Sequence, residues 1–218
     1  MNRRISKLLE ISVFNTVRMN YHYFGCGGVL RPRILVSKNL KILKLDGTVI
    51  VKSAKIGAVQ IGFGHVGIID SKVYKSLWEN SGEISFLGVA NLGPGTRIVN
   101  SGKLEIGDNF CVNAASNIIC YKKISIGEDV LISWECLIMD TDFHKVISTE
   151  SQQQINNDKP VQIGNHVWIA CKSTILKGSS VPDNSVIAAG SVISKKYTNV
   201  NTVYASIGEI RNRVTWSH

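Results

Sequence analysis

Aliphatic side chains recur at every sixth position through the C-terminal part of the chain: Ile163, Ile169, Ile175, Val181, Ile187 and Ile193. Two residues before each stands a small or β-branched side chain: Val161, Val167, Ser173, Ser179, Ser185 and Ser191. The residue after is often Gly, Ala or Pro, as at Gly164, Ala170, Pro182 and Ala188. A helix would repeat at three and four, so this period predicts short strands joined by tight corners. The grid continues upstream in triplets: Ile126, Ile132, Ile138; then Ile106, Val112, Ile118; then Phe86, Leu92, Ile98. Between triplets the step is 8 at Ile98 to Ile106 and at Ile118 to Ile126, and 25 at Ile138 to Ile163. Each irregular step follows a third member, so the extra residues share one corner of a three-sided coil.

The fold class expected is an all-β solenoid, each turn giving three short parallel strands that stack about 4.8 Å apart. Five turns fit between Phe86 and Thr198. Upstream the period decays, and Val49, Val51, Ile56, Ile61 and the Gly62, Gly64, Gly67 stretch are read as irregular first coils of the same solenoid. Ile5, Leu8, Leu9, Ser12, Val13 and Thr16 follow helical spacing and predict one amphipathic N-terminal helix. Such a helix either caps the exposed strand edges or, helped by Arg3, Arg4 and Lys7, makes peripheral membrane contact; the need of repeat arrays for capped ends favours the cap. Three regions result: 1–83, N-terminal helix and first coils; 84–198, the repeat with a loop at 139–160; and 199–218, a C-terminal segment.

The 218 residues are 44% apolar with no low-complexity tract, the profile of one globular domain and not of a disordered chain. No apolar run approaches the roughly 20 residues of a membrane span, and MNRRISKLLEIS lacks a signal peptide's long apolar segment, so a cytoplasmic protein is expected. Five cysteines without a C-x-x-C pair argue against a disulfide framework or a zinc knuckle and are read as small buried thiols. Lys and Arg number 25 against 16 Asp and Glu, a net charge of +9. That excess suits nucleic acid, an anionic membrane or a phosphate-bearing molecule; with no helix-turn-helix, zinc-finger or RNA-binding signature, no nucleic-acid partner is expected. His22, His65, His144, His166 and His218 show no ligand-type spacing, so no metal is expected either.

The segment Ile163-Gly-Asn-His-Val-Trp-Ile-Ala-Cys-Lys-Ser-Thr-Ile-Leu-Lys-Gly, followed by Val181-Pro-Asp-Asn-Ser-Val-Ile-Ala-Ala-Gly-Ser-Val-Ile, resembles the hexapeptide-repeat acyltransferases. Within them it is similar to the sugar O-acetyltransferase branch of galactoside, maltose and capsule or exopolysaccharide enzymes. The resemblance spans about residues 104–196. It implies a left-handed parallel β-helix, a homotrimer, acetyl-CoA as co-substrate and a saccharide acceptor.

Residues 139–160 form a polar excursion from a regular scaffold, the usual place for function. At its root lies Thr141-Asp-Phe-His144, where the resembled enzymes carry a catalytic histidine. A sugar hydroxyl is a poor nucleophile, so a base poised near neutral pH is needed, and His144 is the candidate, with Asp142 and Asp140 as orienters of its ring. By the same resemblance Asn113 contacts the acceptor, although an outward turn asparagine would look alike. Trp168 packs on the sugar or the pantetheine arm, or else anchors a subunit interface. Cys171 and Ala189 line the pantetheine arm, and Lys195 and Lys196 meet the phosphates of CoA unless they form a solvated face. The function expected is acetyl transfer to a saccharide hydroxyl in surface polysaccharide biosynthesis. Transfer to the amine of an amino sugar or xenobiotic, and a non-catalytic binding solenoid, are the alternatives.

Overall fold

The computed structural model describes residues 9–67, 69–70 and 73–217. Its short strands wind into a three-sided parallel coil. The first side holds β1 (Ile34–Val36), β4 (Val59–Ile61), β7 (Ala90–Leu92), β10 (Phe110–Ala114), β13 (Leu131–Trp134), β16 (Trp168–Ile169), β19 (Val186–Ile187), β21 (Val203–Ala205) and β22 (Gly208–Arg211). The second holds β2 (Leu40–Lys44), β5 (Ser76–Asn80), β8 (Arg97–Asn100), β11 (Asn117–Cys120), β14 (Leu137–Met139), β17 (Thr174–Ile175) and β20 (Val192–Ile193). The third holds β3 (Thr48–Val51), β6 (Glu83–Phe86), β9 (Lys103–Ile106), β12 (Lys123–Ile126), β15 (Val161–Ile163) and β18 (Ser180–Val181).

All fifteen grid residues from Phe86 to Ile193 lie in strands and none is more than 4% exposed. They stack as register partners: Trp78, Ile98, Ile118, Ile138, Ile175 and Ile193 follow one another up the second sheet. Burying each such side chain contributes about 1.5–3 kcal/mol, so the columns are the main source of stability. The small residues two positions earlier are buried too, and the serines among them need partners. Ser173 Oγ donates to Ala188 O at 3.0 Å, and Ser179 Oγ to Ile193 O at 2.9 Å, both in the next coil.

The coils upstream of residue 84 occupy the same three sheets, with Val36, Ile61 and Leu92 in register. Ile56 is a correction: it sits outside the strands and is 57% exposed. The period decays there because a long connection, residues 62–75, separates β4 from β5. The corners repeat as regularly as the strands. Asn109, Asp129, His166, Asn184 and Asn201 all adopt positive φ at the corner leading into the first sheet. Short polar side chains tolerate that conformation best.

Of the predicted N-terminal helix, Ile5 and Leu8, with Arg3, Arg4 and Lys7, lie outside the described residues. Ser12 does not continue a helix but starts one: it is the N-cap of α1 (Val13–Leu30) and accepts from Asn15 N at 3.4 Å. Thr16, Met19 and Asn20 are buried against β1. The Asn20 amide donates to Ile34 O at 2.6 Å and accepts from Ile34 N at 3.1 Å, occupying the edge that the first coil would otherwise expose. The other end is closed by Tyr204, which takes the next aliphatic position after Ile187 and stacks on Tyr197 at 4.1 Å. All five cysteines are free; Cys120 and Cys136 are buried as expected, whereas Cys26 is exposed on α1.

Coil-to-coil contact leaves no room at one glycine column. A Cβ added to Gly127 would fall 2.7 Å from Gly164 O and 2.5 Å from Asn165 Oδ1. Gly127→Ala is therefore expected to cost about 1–3 kcal/mol by overpacking and to lower Tm by several degrees, read by calorimetry or thermal circular dichroism.

Candidate functional site

The excursion leaves the prism at the corner between the second and third sheets and is ordered. Ile147 and Gln154 form an antiparallel bridge, and Ile155 N donates to Val146 O at 2.9 Å. The root is fixed by Asp140, which is fully buried. Its Oδ1 accepts from Tyr121 N at 2.7 Å, and its Oδ2 from Lys122 N at 2.8 Å and Lys123 N at 2.6 Å. Three amides on one carboxylate satisfy a buried charge and tie the exit of the loop to the coil beneath. Burial, with the Asp140 charge second, pushes the neighbouring Cys120 thiol up to about 12, so it stays protonated.

His144 is exposed, and its imidazole has no hydrogen-bond partner among the described residues. The backbone beneath the ring is held instead. Asn156 Nδ2 donates to His144 O at 2.8 Å and to Asp142 Oδ2 at 2.9 Å, while Asn156 Oδ1 accepts from Val146 N at 2.7 Å. Lys177, on the next coil, donates to Asp142 Oδ2 at 2.5 Å and to Asn156 O at 2.7 Å. These hydrogen bonds from Lys177 and Asn156 hold the Asp142 carboxyl below its ordinary range.

Neither aspartate hydrogen-bonds the imidazole in this structure: Asp142 is bonded to Lys177 and Asn156, and Asp140 to the coil below, so the orienting role expected of them has no contact here to carry it. Phe143 takes φ 62°, and His144 N donates to Asp142 O at 2.7 Å. The chain leaves the regular strand at this turn, with Asp142 bonded to Lys177 and Asp140 to the coil below. Asn156 and Lys177, which hold the backbone beneath His144, are the residues that sequence reasoning missed. Lys177 is one of 25 lysine and arginine residues, and no spacing links Asn156 to His144.

The other predicted residues divide between faces. Lys196 joins Lys159, Lys177, Pro160 and Gln162 around a cleft of about 430 Å³ at the base of the excursion, and Lys195 stands 5.6 Å over the Tyr197 ring. Cys171 and Ala189 lie at the corner between the first and second sheets, where Gly190 N donates to Cys171 O at 2.9 Å. Asn113 lines a separate cleft of about 570 Å³ over the first sheet, with Gln60, Phe63, His65 and Asn91. It does not meet His144 within one chain. Trp168 donates to Ser133 Oγ at 3.1 Å and is flanked by Trp216, whose ring stacks on His166 at 4.6 Å. The C-terminal tail thus covers part of the face that Trp168 was expected to offer. Among the described residues no three His, Cys, Asp or Glu side chains converge as a metal site.

No family model matches the chain. Over 56 residues it is 48% identical to the polysialic acid O-acetyltransferase of Neisseria meningitidis, 26% of each chain. Over 92 residues it is 35% identical to the galactoside O-acetyltransferase of Escherichia coli (strain K12), 42% of this chain and 45% of that one. The chain therefore spans less than half the length of these two relatives. Over 194 residues, 87% of this chain and 84% of the other, it is 25% identical to a 24.8 kDa protein in the cps region of Klebsiella pneumoniae. In shape it is similar to the polySia specific acetyltransferase NeuO, with TM-score 0.62 and 17% identity over 82% of this chain and 72% of that one. The polysialic acid O-acetyltransferase OatWY gives TM-score 0.51 and 23% identity over 84% and 86%. The fold is the left-handed parallel β-helix, and the resemblance to hexapeptide-repeat acyltransferases is met by these relatives.

Asn156→Ala removes three hydrogen bonds around the loop root. Amide exchange at Val146 should accelerate by about 10-fold or more, with the coil amides unchanged. The Asp142–Lys177 contact has the opposite sensitivity: because the folded carboxyl is depressed, its support is complete above the ordinary carboxylate range and is lost as pH falls through the lowered value.

Proposed function

We propose that this protein is an O-acetyltransferase that moves an acetyl group from acetyl-CoA to a hydroxyl of a saccharide, in the making of a surface polysaccharide. The observation that carries this reading is the imidazole of His144, open to solvent on a root fastened by Asn156, Lys177 and Asp140. Relatives named as sugar O-acetyltransferases support the same chemistry.

His144 takes the proton of the acceptor hydroxyl as its oxygen bonds to the thioester carbonyl carbon. The C–S bond then breaks, CoA leaves as thiolate, and the imidazolium returns the proton to it. A base so placed typically contributes about 10²–10⁴-fold. The donor supplies the activated acyl group. The exposed small surface at Ala189 and Gly190 suits its thin pantetheine arm, and the exposed ammonium groups of Lys195 and Lys196 suit its phosphates. Asn113 belongs to the acceptor side, and because it faces away from His144 in one chain, the reading includes a homotrimer in which a second copy presents it.

His144→Ala should lower kcat by about 10² or more with acetyl-CoA affinity nearly unchanged. Turnover of labelled acetyl-CoA with sugar alcohols and amino sugars, alongside calorimetric titration, measures both. Undiminished turnover would overturn the role of His144, and exclusive use of amines would move the acceptor class.

A further inference from the structure

The helix α1 carries two apolar faces. One is spent on the first coil through Met19, Thr16 and Asn20. The other holds Val13 (71% exposed), Phe14 (75%), Val17 (42%) and Tyr21 (60%). At 100° per residue these four fall within an arc of about 100°, roughly opposite Met19. An exposed aromatic and aliphatic stripe of this kind marks a contact surface and not a solvated face.

The charge around the stripe identifies what it contacts. From Ile11 to Leu45 the chain has six basic residues, Arg18, Arg31, Arg33, Lys38, Lys41 and Lys44, and not one acidic residue. All but Arg33 are exposed. The patch is continuous with the helix: Arg18 and Tyr21 share a shallow cleft with Leu43 and Lys44, and Leu43 is itself 47% exposed. The nearest acidic groups are at its rim: Glu10 before the helix, Asp46, which is 3.5 Å from Lys44, and Glu79, the register partner of Lys44 on β5.

The geometry points to a bilayer with anionic headgroups as the partner of this end of the prism. The stripe lies in the plane of the headgroup boundary while the basic side chains meet lipid phosphates. A second copy of the same chain would bring its five exposed basic side chains against these five, which disfavours self-association through this face. Among the described residues no helix is long and apolar enough to cross a membrane, so the contact is peripheral.

Co-sedimentation of the full chain with vesicles tests this. Vesicles of phosphatidylcholine with about 30 mol% phosphatidylglycerol should bind at least about 10-fold more tightly than pure phosphatidylcholine, and the difference should shrink in high salt. A Phe14→Glu, Val17→Glu double variant, altering only exposed positions, should lose about 10-fold or more of that binding with an unchanged thermal midpoint. A Lys41→Glu, Lys44→Glu variant should lose the preference for anionic lipid. Equal retention on both vesicles, or undiminished binding by the Phe14 and Val17 variant, would overturn the proposal. So would failure of the parent chain to bind lipid while that variant alters its mass in sedimentation equilibrium, which would assign the face to a second copy.

Discussion

Everything in this molecule hangs on one coil lying in register on the next. In a parallel coil each strand finds its hydrogen-bond partners above and below, not in its sequence neighbours, so a shift of one residue in any coil would turn a whole column of side chains outward. The aliphatic columns resist that shift. Ile118 is locked between Ile98 and Ile138, and Val112 between Leu92 and Ile132. The same stacking sets the glycine at position 127, because two backbones can approach so closely only where no side chain intervenes.

This constraint explains which parts were legible in the sequence. A six-residue grid is written in residue type, so the strands, the shared corner and the point of departure of the loop could all be read from the spacing of aliphatic and small residues. The upstream coils blurred because Trp78 takes an aliphatic place and residues 62–75 interrupt the count. The end of the chain was unreadable for another reason. Tyr204 enters the core as an aromatic, and Trp216 returns to stack on His166 from fifty residues away. No local pattern announces such a contact.

The candidate site shows the same division. The sequence marks His144 because of the motif around it, but what holds the histidine is tertiary. Asn156 reaches back across the excursion, and Lys177 reaches up from a neighbouring coil. Two aspartates two residues apart look alike on paper. In the fold Asp140 is a buried staple accepting three amides, while Asp142 is an exposed partner for a lysine. Burial decides between them: Asp140 continues the strand register over the buried Cys120, whereas the turn at Phe143 follows Asp142 on the exposed excursion.

The excursion closes on itself: Lys159 N donates to Asp140 O at 3.1 Å, so the chain comes back to the point it left. The stack above and below is therefore blind to how many residues the detour contains. Closing a longer detour costs only a term logarithmic in its length. The stretch between those two anchors can be lengthened, shortened or replaced, and with it whatever the stretch selects, without displacing the stacked body that carries it.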